Sequence, residues 1–262
     1  MNDRADDKRS PVSPSASTQV LQSEGPLEQL IHDPSPEVMR AVAMDPRLTE
    51  DLALSMLKRR DLTREALEAL YKHKSLAKLR KVQLAIVVHP ITPRHVTIPV
   101  IRHLYAFELM QVALTATVPA DIKRAAEEAI VARLATVSAG ERSELAKRGS
   151  GRVAAALLLD KEERIMQSAL MNPQMTEMWI VKALKAGSGT ELLAPAVCRQ
   201  QKWSQRSDVK LALIANRHTP LARVVQFARE LPLNAVRELP RSARLAPNVK
   251  ACLKGALEDR AK

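Results

Sequence analysis

Apolar residues along this chain recur every three to four positions and are interrupted by one kind of short polar junction. In Val209-Lys210-Leu211-Ala212-Leu213-Ile214-Ala215, Val209 and Leu213, with Ala212 and Ala215, form one stripe of a helix. Asn216 follows where the chain must leave right-handed geometry, which Asn tolerates better than most residues, so the pattern predicts a helix stop there. Thr219 is placed to cap the orphan amides of a second helix, and Pro220 opens it without losing a hydrogen bond. Leu221, Val224, Val225 and Ala228 then supply the second apolar face.

The same chemistry returns with other letters. Asp45-Pro46 precedes Thr49-Glu50, His89-Pro90 precedes Thr92-Pro93, Asn172-Pro173 precedes Thr176-Glu177, and Asp33-Pro34-Ser35-Pro36 is a partial copy. From 45 to 89 is 44 residues, from 172 to 216 is again 44, and the 83 between 89 and 172 is close to two such periods. A period of that size marks stacked helical pairs. The expected fold is therefore all-α, an α-α superhelix (solenoid) of about five helical-pair repeats over residues 27–262. Between 104 and 160 the junction is missing, and Val118-Pro119-Ala120-Asp121 instead predicts the start of a long Ala-rich helix running to Val137. A last helix around Val249–Leu257 is expected to cap the stack with a polar outer face.

A run of alanine, Asn-Pro, one or two residues, Thr-Pro and a leucine-spaced helix resembles the leucine-rich repeat variant group and, more broadly, HEAT-like and armadillo-type α-helical repeats. The resemblance covers residues 30–100 and 160–230. It implies stacked helices and says little about chemistry, since such families serve as scaffolds, as binding surfaces and occasionally as nucleic-acid-processing enzymes.

Composition agrees with helices. Only 7 Gly among 262 residues, 46% hydrophobic and 27% charged residues suit mixed-face helices better than sheet, and with 2% aromatics the core must be built from Leu, Val, Ile, Ala and Met. Residues 1–26 read differently: Ser10, Pro11, Ser13, Pro14, Ser15 and Ser17 stand among mixed charges with too few apolar residues to offset ordering entropy, which predicts a disordered tail. That segment has neither a secretory nor a transit-peptide pattern, and no run reaches the length of a membrane span, so the expected location is the cytoplasm. Cys198 and Cys252 fall on separate predicted helices, consistent with unpaired thiols in a reducing compartment.

Catalytic and metal chemistry find little footing. His89 occupies a helix-stop position and Pro99 interrupts the segment holding His95 and His103, so these three histidines do not read as a metal site. Gly149-Ser150-Gly151 is followed by Arg152-Val153 rather than by the Lys and Ser or Thr of a phosphate loop, and reads as a helix-to-helix turn, as does Gly187-Ser188-Gly189. Asp160, Glu162 and Glu163 suit the positive end of a helix dipole. No catalytic residue, cofactor or metal ligand is assigned.

Charge is the remaining signal. The chain carries a formal net charge of +12. A basic stretch holds Lys72, His73, Lys74, Lys78, Arg80 and Lys81, preceded by Lys58, Arg59 and Arg60 and followed by Arg94 and Arg102; a second group, Arg199, Lys202 and Arg206, surrounds Trp203. Equivalent positions of successive repeats align, so modest charge per repeat can sum to a stripe. Trp179, among Met178, Ile180, Val181 and Leu184, reads as a packing residue, whereas Trp203, beside Lys202, Ser204 and Gln205, reads as an exposed binding aromatic. The expected function is a non-catalytic scaffold that binds another protein with an acidic segment, along a concave row of second helices bearing Arg94, Arg102, Arg223 and Arg229. The alternative is a nucleic-acid-binding HEAT-like repeat protein with base-processing activity.

Overall fold

A computed structural model describes residues 26–186, 188–237 and 245–259. Among these residues the chain is all-helical, with 18 α-helices, one 3-10 turn and no strand. It divides into two compact units: one holds the residues up to Leu104 together with Thr115–Ala125, the other Tyr105–Leu114 together with the residues from Ala126 onward. The expected tail, Gly187 and the stretch around Pro240 lie outside the described residues.

In the first unit, α1 (Leu27–Leu30), α2 (Pro36–Met44), α3 (Glu50–Leu57), α4 (Arg64–Lys72), α5 (Arg80–Val88) and α6 (Arg94–Ile101) follow one another through short turns. Alternate helices pack side by side, α2 on α4 and α3 on α5, around Met39, Met56, Leu67, Leu70 and Ile86, all fully buried. Thr49 and Thr63 cap α3 and α4, their hydroxyls accepting from the amides of Leu52 and Ala66.

The second unit contains α7 (Ala106–Leu114), the end of α8 (Ala120–Arg133), α9 (Ala139–Arg148), α10 (Gly151–Leu157), α11 (Glu163–Leu170), α12 (Glu177–Leu184), α13 (Leu193–Arg199), α14 (Gln201–Ser204), α15 (Ser207–Ala215), α16 (Leu221–Glu230), α17 (Leu233–Arg237) and α18 (Pro247–Asp259). Two rows form. In one, α9 packs on α11 and α11 on α13; in the other, α10 packs on α12 and α12 on α15. The expected Ala-rich helix is α8, and Gly149-Ser150-Gly151 is the turn between α9 and α10.

Every junction read from the sequence ends one helix and starts another, but two details differ. First, the stops at Asp45, His89 and Asn216 are made by extended backbone and not by left-handed residues: Asn216 has φ −90° and ψ 128°, and no non-glycine residue has positive φ among the described residues. Second, Thr92 and Thr219 do not cap the following helix. Their hydroxyls donate backward, to the carbonyls of Ile86 and Leu213, each at 2.6 Å, because the proline that follows takes the N-cap position.

The 44-residue spacing also has a different meaning. Between Asp45 and His89 lie three helices, α3 to α5, so consecutive Pro-marked stops fall on opposite rows and do not count helical pairs. Polar side chains instead join helix ends at separations near 30 residues. The Nδ1 of His73 accepts from the Leu76 amide, leaving Nε2–H to donate to the Asp45 carbonyl 28 residues back; His89 Nε2 donates to the Arg59 carbonyl, 30 back. The Asn172 amide donates to the Ala146 carbonyl, 26 back, and that of Asn216 to the Leu184 carbonyl, 32 back. Each ties a helix end to the end of an earlier helix, two helices back for His73, His89 and Asn172 and three for Asn216, satisfying carbonyls that helix ends leave unpaired.

Candidate functional site

A groove of about 1320 Å³ runs along the α10–α12–α15 row of the second unit. Five alanines, Ala155, Ala156, Ala183, Ala212 and Ala215, line it together with the larger Val131, Leu159, Val181 and Leu211. Trp179 and Met178 form one wall; Trp179 is half-buried, and Met178 is 64% exposed. An exposed large apolar residue beside a half-buried Trp is costly to leave in water and marks a surface that gains by being covered.

The placement of Trp179 depends on Gly151. A Cβ at Gly151 would lie 2.6 Å from the carbonyl oxygen of Gln174 and 3.6 Å from Trp179 Nε1, so only glycine lets the turn ahead of α12 approach the start of α10. Asn172 fixes the same turn from the other side, its Oδ1 accepting from the Gln174 amide at 2.7 Å while its amide donates to the Ala146 and Gly149 carbonyls.

The charges around the groove are mixed. Arg152 is paired with Glu128 at 3.1 Å and Glu177 with Arg206 at 4.0 Å. Lys182 places its Nζ 5.3 Å from the Trp179 ring centroid, and neither it nor Lys185 has a carboxylate at ion-pair distance among the described residues. Asp208 stands across the groove.

The candidate residues read from the sequence are distributed differently from expectation. Trp203 is not an exposed aromatic: it is 3% exposed, its Nε1–H donates to the Leu170 carbonyl at 3.2 Å, and Lys202 lies over its ring at 4.3 Å. The polar neighbours that suggested a loop sit on the outer face of the single-turn α14, whose inner face is Trp203 alone. Arg223 and Arg229 are on α16, which packs on α15 and α18 and contributes no residue to the groove.

Arg199 and Arg223 do meet, in a polar cleft of about 600 Å³ shared with Lys210 and Glu230. The charges there are largely answered: Arg199 pairs with Glu163 at 3.2 Å, Lys210 with Glu230 at 2.6 Å, and Arg223 donates to Gln226 at 2.7 Å. Lys210 and Gln226 hold the Glu230 carboxyl below the usual carboxylate range. Burial pushes the neighbouring Cys198 thiol up to about 11, against a weaker pull from Arg223 and Arg199.

In the first unit Lys72 lies 3.9 Å from Glu68, Arg94 pairs with Asp121 at 3.4 Å, and Arg80 donates to the His103 carbonyl at 3.4 Å. Lys74, Lys78, Lys81 and Arg102 are exposed. His89, His95 and His103 do not converge, for His89 bonds the Arg59 carbonyl and His95 lies 3.2 Å from Glu68; no group of three or more His, Cys, Asp or Glu able to hold a metal ion occurs among the described residues. Among these residues no helix is long and apolar enough to cross a membrane. No family model, curated protein or solved structure matches this chain.

Sequence reading missed the groove itself. Its signal was present as alanine at 155, 156, 183, 212 and 215, but only the packing of α10, α12 and α15 into one row shows that these positions share a surface.

Proposed function

We propose that this chain is a non-catalytic, HEAT-like α-helical repeat scaffold, an α-α superhelix working in the cytoplasm, that holds a segment of a partner protein in the α10–α12–α15 groove. The observation that carries the reading is Trp179 with Met178 beside an open, alanine-rich groove of about 1320 Å³, an amphipathic anchor next to space for a partner segment. Alanine on the receiving helices lets a second backbone approach closely. The uncompensated Lys182 and Lys185 favour a partner that carries acids flanking a bulky apolar residue. Two free thiols suit a reducing compartment.

The test is selection of peptides from a displayed random library on the full chain, followed by calorimetry on the winners. Peptides with an aromatic or Leu anchor beside Asp or Glu are expected, losing affinity at least ~10-fold on Trp179→Ala, the size of a ~1.4 kcal/mol hot spot, and keeping it on Trp203→Phe. Winners that bind the Trp179→Ala protein equally well, or that lack apolar anchors, overturn the proposal.

A further inference from the structure

Between Glu68 and Glu108 the chain runs 39 residues without a carboxylate side chain while carrying seven Lys or Arg. The fold gathers most of this charge on one edge of the first unit. The His73 ring bonds the Asp45 carbonyl, which sets the α4–α5 linker against the α2–α3 turn, and Arg80 bonds the His103 carbonyl, which sets the start of α5 against the end of α6. Three linkers, entered at Asp45, His73 and His103, are thus stacked at intervals of 28 and 30 residues along a single edge.

On that edge Lys74, Lys78 and Lys81 are exposed and have no carboxylate partner among the described residues; Lys72, Arg80 and Arg102 stand with them. Of the acids near this edge, Asp45 is 4% exposed and taken up by the guanidinium of Arg47 at 2.8 Å, and Glu68 on α4 is shared between Lys72 and His95. Glu65, which lines one pocket with Lys72 and Lys74, and Glu50 and Asp51, which open α3, offset part of the lysine charge. On the other edge of the same unit Arg59 pairs with Asp61 and Arg94 with Asp121, while Lys58 and Arg60 are exposed without a carboxylate partner among the described residues.

We propose that this lysine edge binds the phosphate backbone of nucleic acid, as a surface separate from the groove. A protein partner would need an apolar or aromatic anchor to desolvate. No aromatic of this unit is exposed among the described residues, and the one large exposed apolar side chain of the unit is Met44, a single flexible residue beside Lys72 and Lys74. Lysines on flexible stems are point charges suited to phosphates, and they position without reading bases. Trp203 is buried and no aromatic of the first unit is exposed among the described residues, so the lysines have no stacking partner within their own unit and binding is expected to be indifferent to sequence.

The experiment is fluorescence anisotropy of the full chain with labelled 20-nucleotide single strands and 20-base-pair duplexes of DNA and RNA across a salt series. Each phosphate contact contributes roughly −0.7 to −0.9 to the slope of log affinity against log salt. The triple variant Lys74→Gln, Lys78→Gln, Lys81→Gln is expected to bind at least ~10-fold more weakly at low salt, with a slope shallower by about 2 to 3. The double variant Lys58→Gln, Arg60→Gln on the other edge is expected to bind as the parent does, and circular dichroism checks that both variants stay helical. Absence of binding, equal loss in both variants, or displacement by polyglutamate at matched charge would overturn the proposal, the last in favour of an acidic protein segment.

Discussion

The side-chain amide of Asn216 donates to the main-chain carbonyl of Leu184 across 2.7 Å, joining the end of α15 to the end of α12. Its Oδ1 accepts from the His218 amide at 2.9 Å, so one buried side chain both shapes its own turn and fixes the register of its neighbour. Replacement by Leu leaves the Leu184 carbonyl and the His218 amide without partners. The expected cost is about 2–3 kcal/mol in urea unfolding, and Asn216→Asp, which can accept but not donate, is expected to fare no better. An Asn216→Leu protein as stable as the parent would show that the latch does not hold the row.

Two glycines give opposite expectations for the same change. Gly151→Ala drives a Cβ into the Gln174 carbonyl and should cost more than about 2 kcal/mol, displacing Trp179 as well. Gly255→Ala, in α18 with nothing within 4 Å of the new Cβ, should raise stability by about 0.5–1 kcal/mol. Thermal melts of the two variants decide this, together with the tryptophan emission of the first.

Trp203→Phe removes the donor to the Leu170 carbonyl while keeping most of the ring's burial. A loss of about 1–2 kcal/mol is expected, with peptide and oligonucleotide affinities unchanged within error. Reduced binding in a folded Trp203→Phe protein would restore that residue as a contact.

Acid sensitivity has a local origin at Asp45. The hydrogen bonds from Arg47 hold its carboxyl below the usual carboxylate range, outweighing the opposing effect of burial. A depressed folded-state value stabilises above the unfolded value near 3.8 and is lost as pH falls through the folded one. Denaturation between pH 2 and pH 6 should therefore show a shallower acid limb for Asp45→Asn than for the parent. Parallel limbs would assign the acid loss elsewhere.

At the alkaline end the sign reverses. Because burial raises the Cys198 thiol to about 11, its neutral form is favoured by folding, and that preference is lost as pH rises from 9 toward 11. At pH 8 a thiol reagent is expected to modify half-buried Cys252 readily and Cys198 only at the rate of unfolding. Equal rates for the two thiols in the native protein would refute the burial argument.

Helix ends were legible because their chemistry is local. Proline after Asp45, His89 and Asn172 forbids continuation, and threonine followed by an acid or proline restarts the chain within a few residues. Row membership was not legible, since intermediate helices end at Lys58 or His73 without proline and drop out of the pattern, so three helices read as two. Trp203 was misjudged for a related reason: its polar neighbours describe the outer face of a single turn, while its burial is decided by Leu170, 33 residues earlier. The groove was invisible because alanine spacing has meaning only once α10, α12 and α15 lie side by side.

The latches from His73, His89, Asn172 and Asn216 all point toward the N-terminus. These four helix ends therefore find their polar partners in chain already synthesised, so a growing polypeptide can make these latches in order of emergence from the ribosome, whereas the bond from Arg80 must wait for His103. A stalled or shortened product would expose an unfinished C-terminal end and keep an intact beginning.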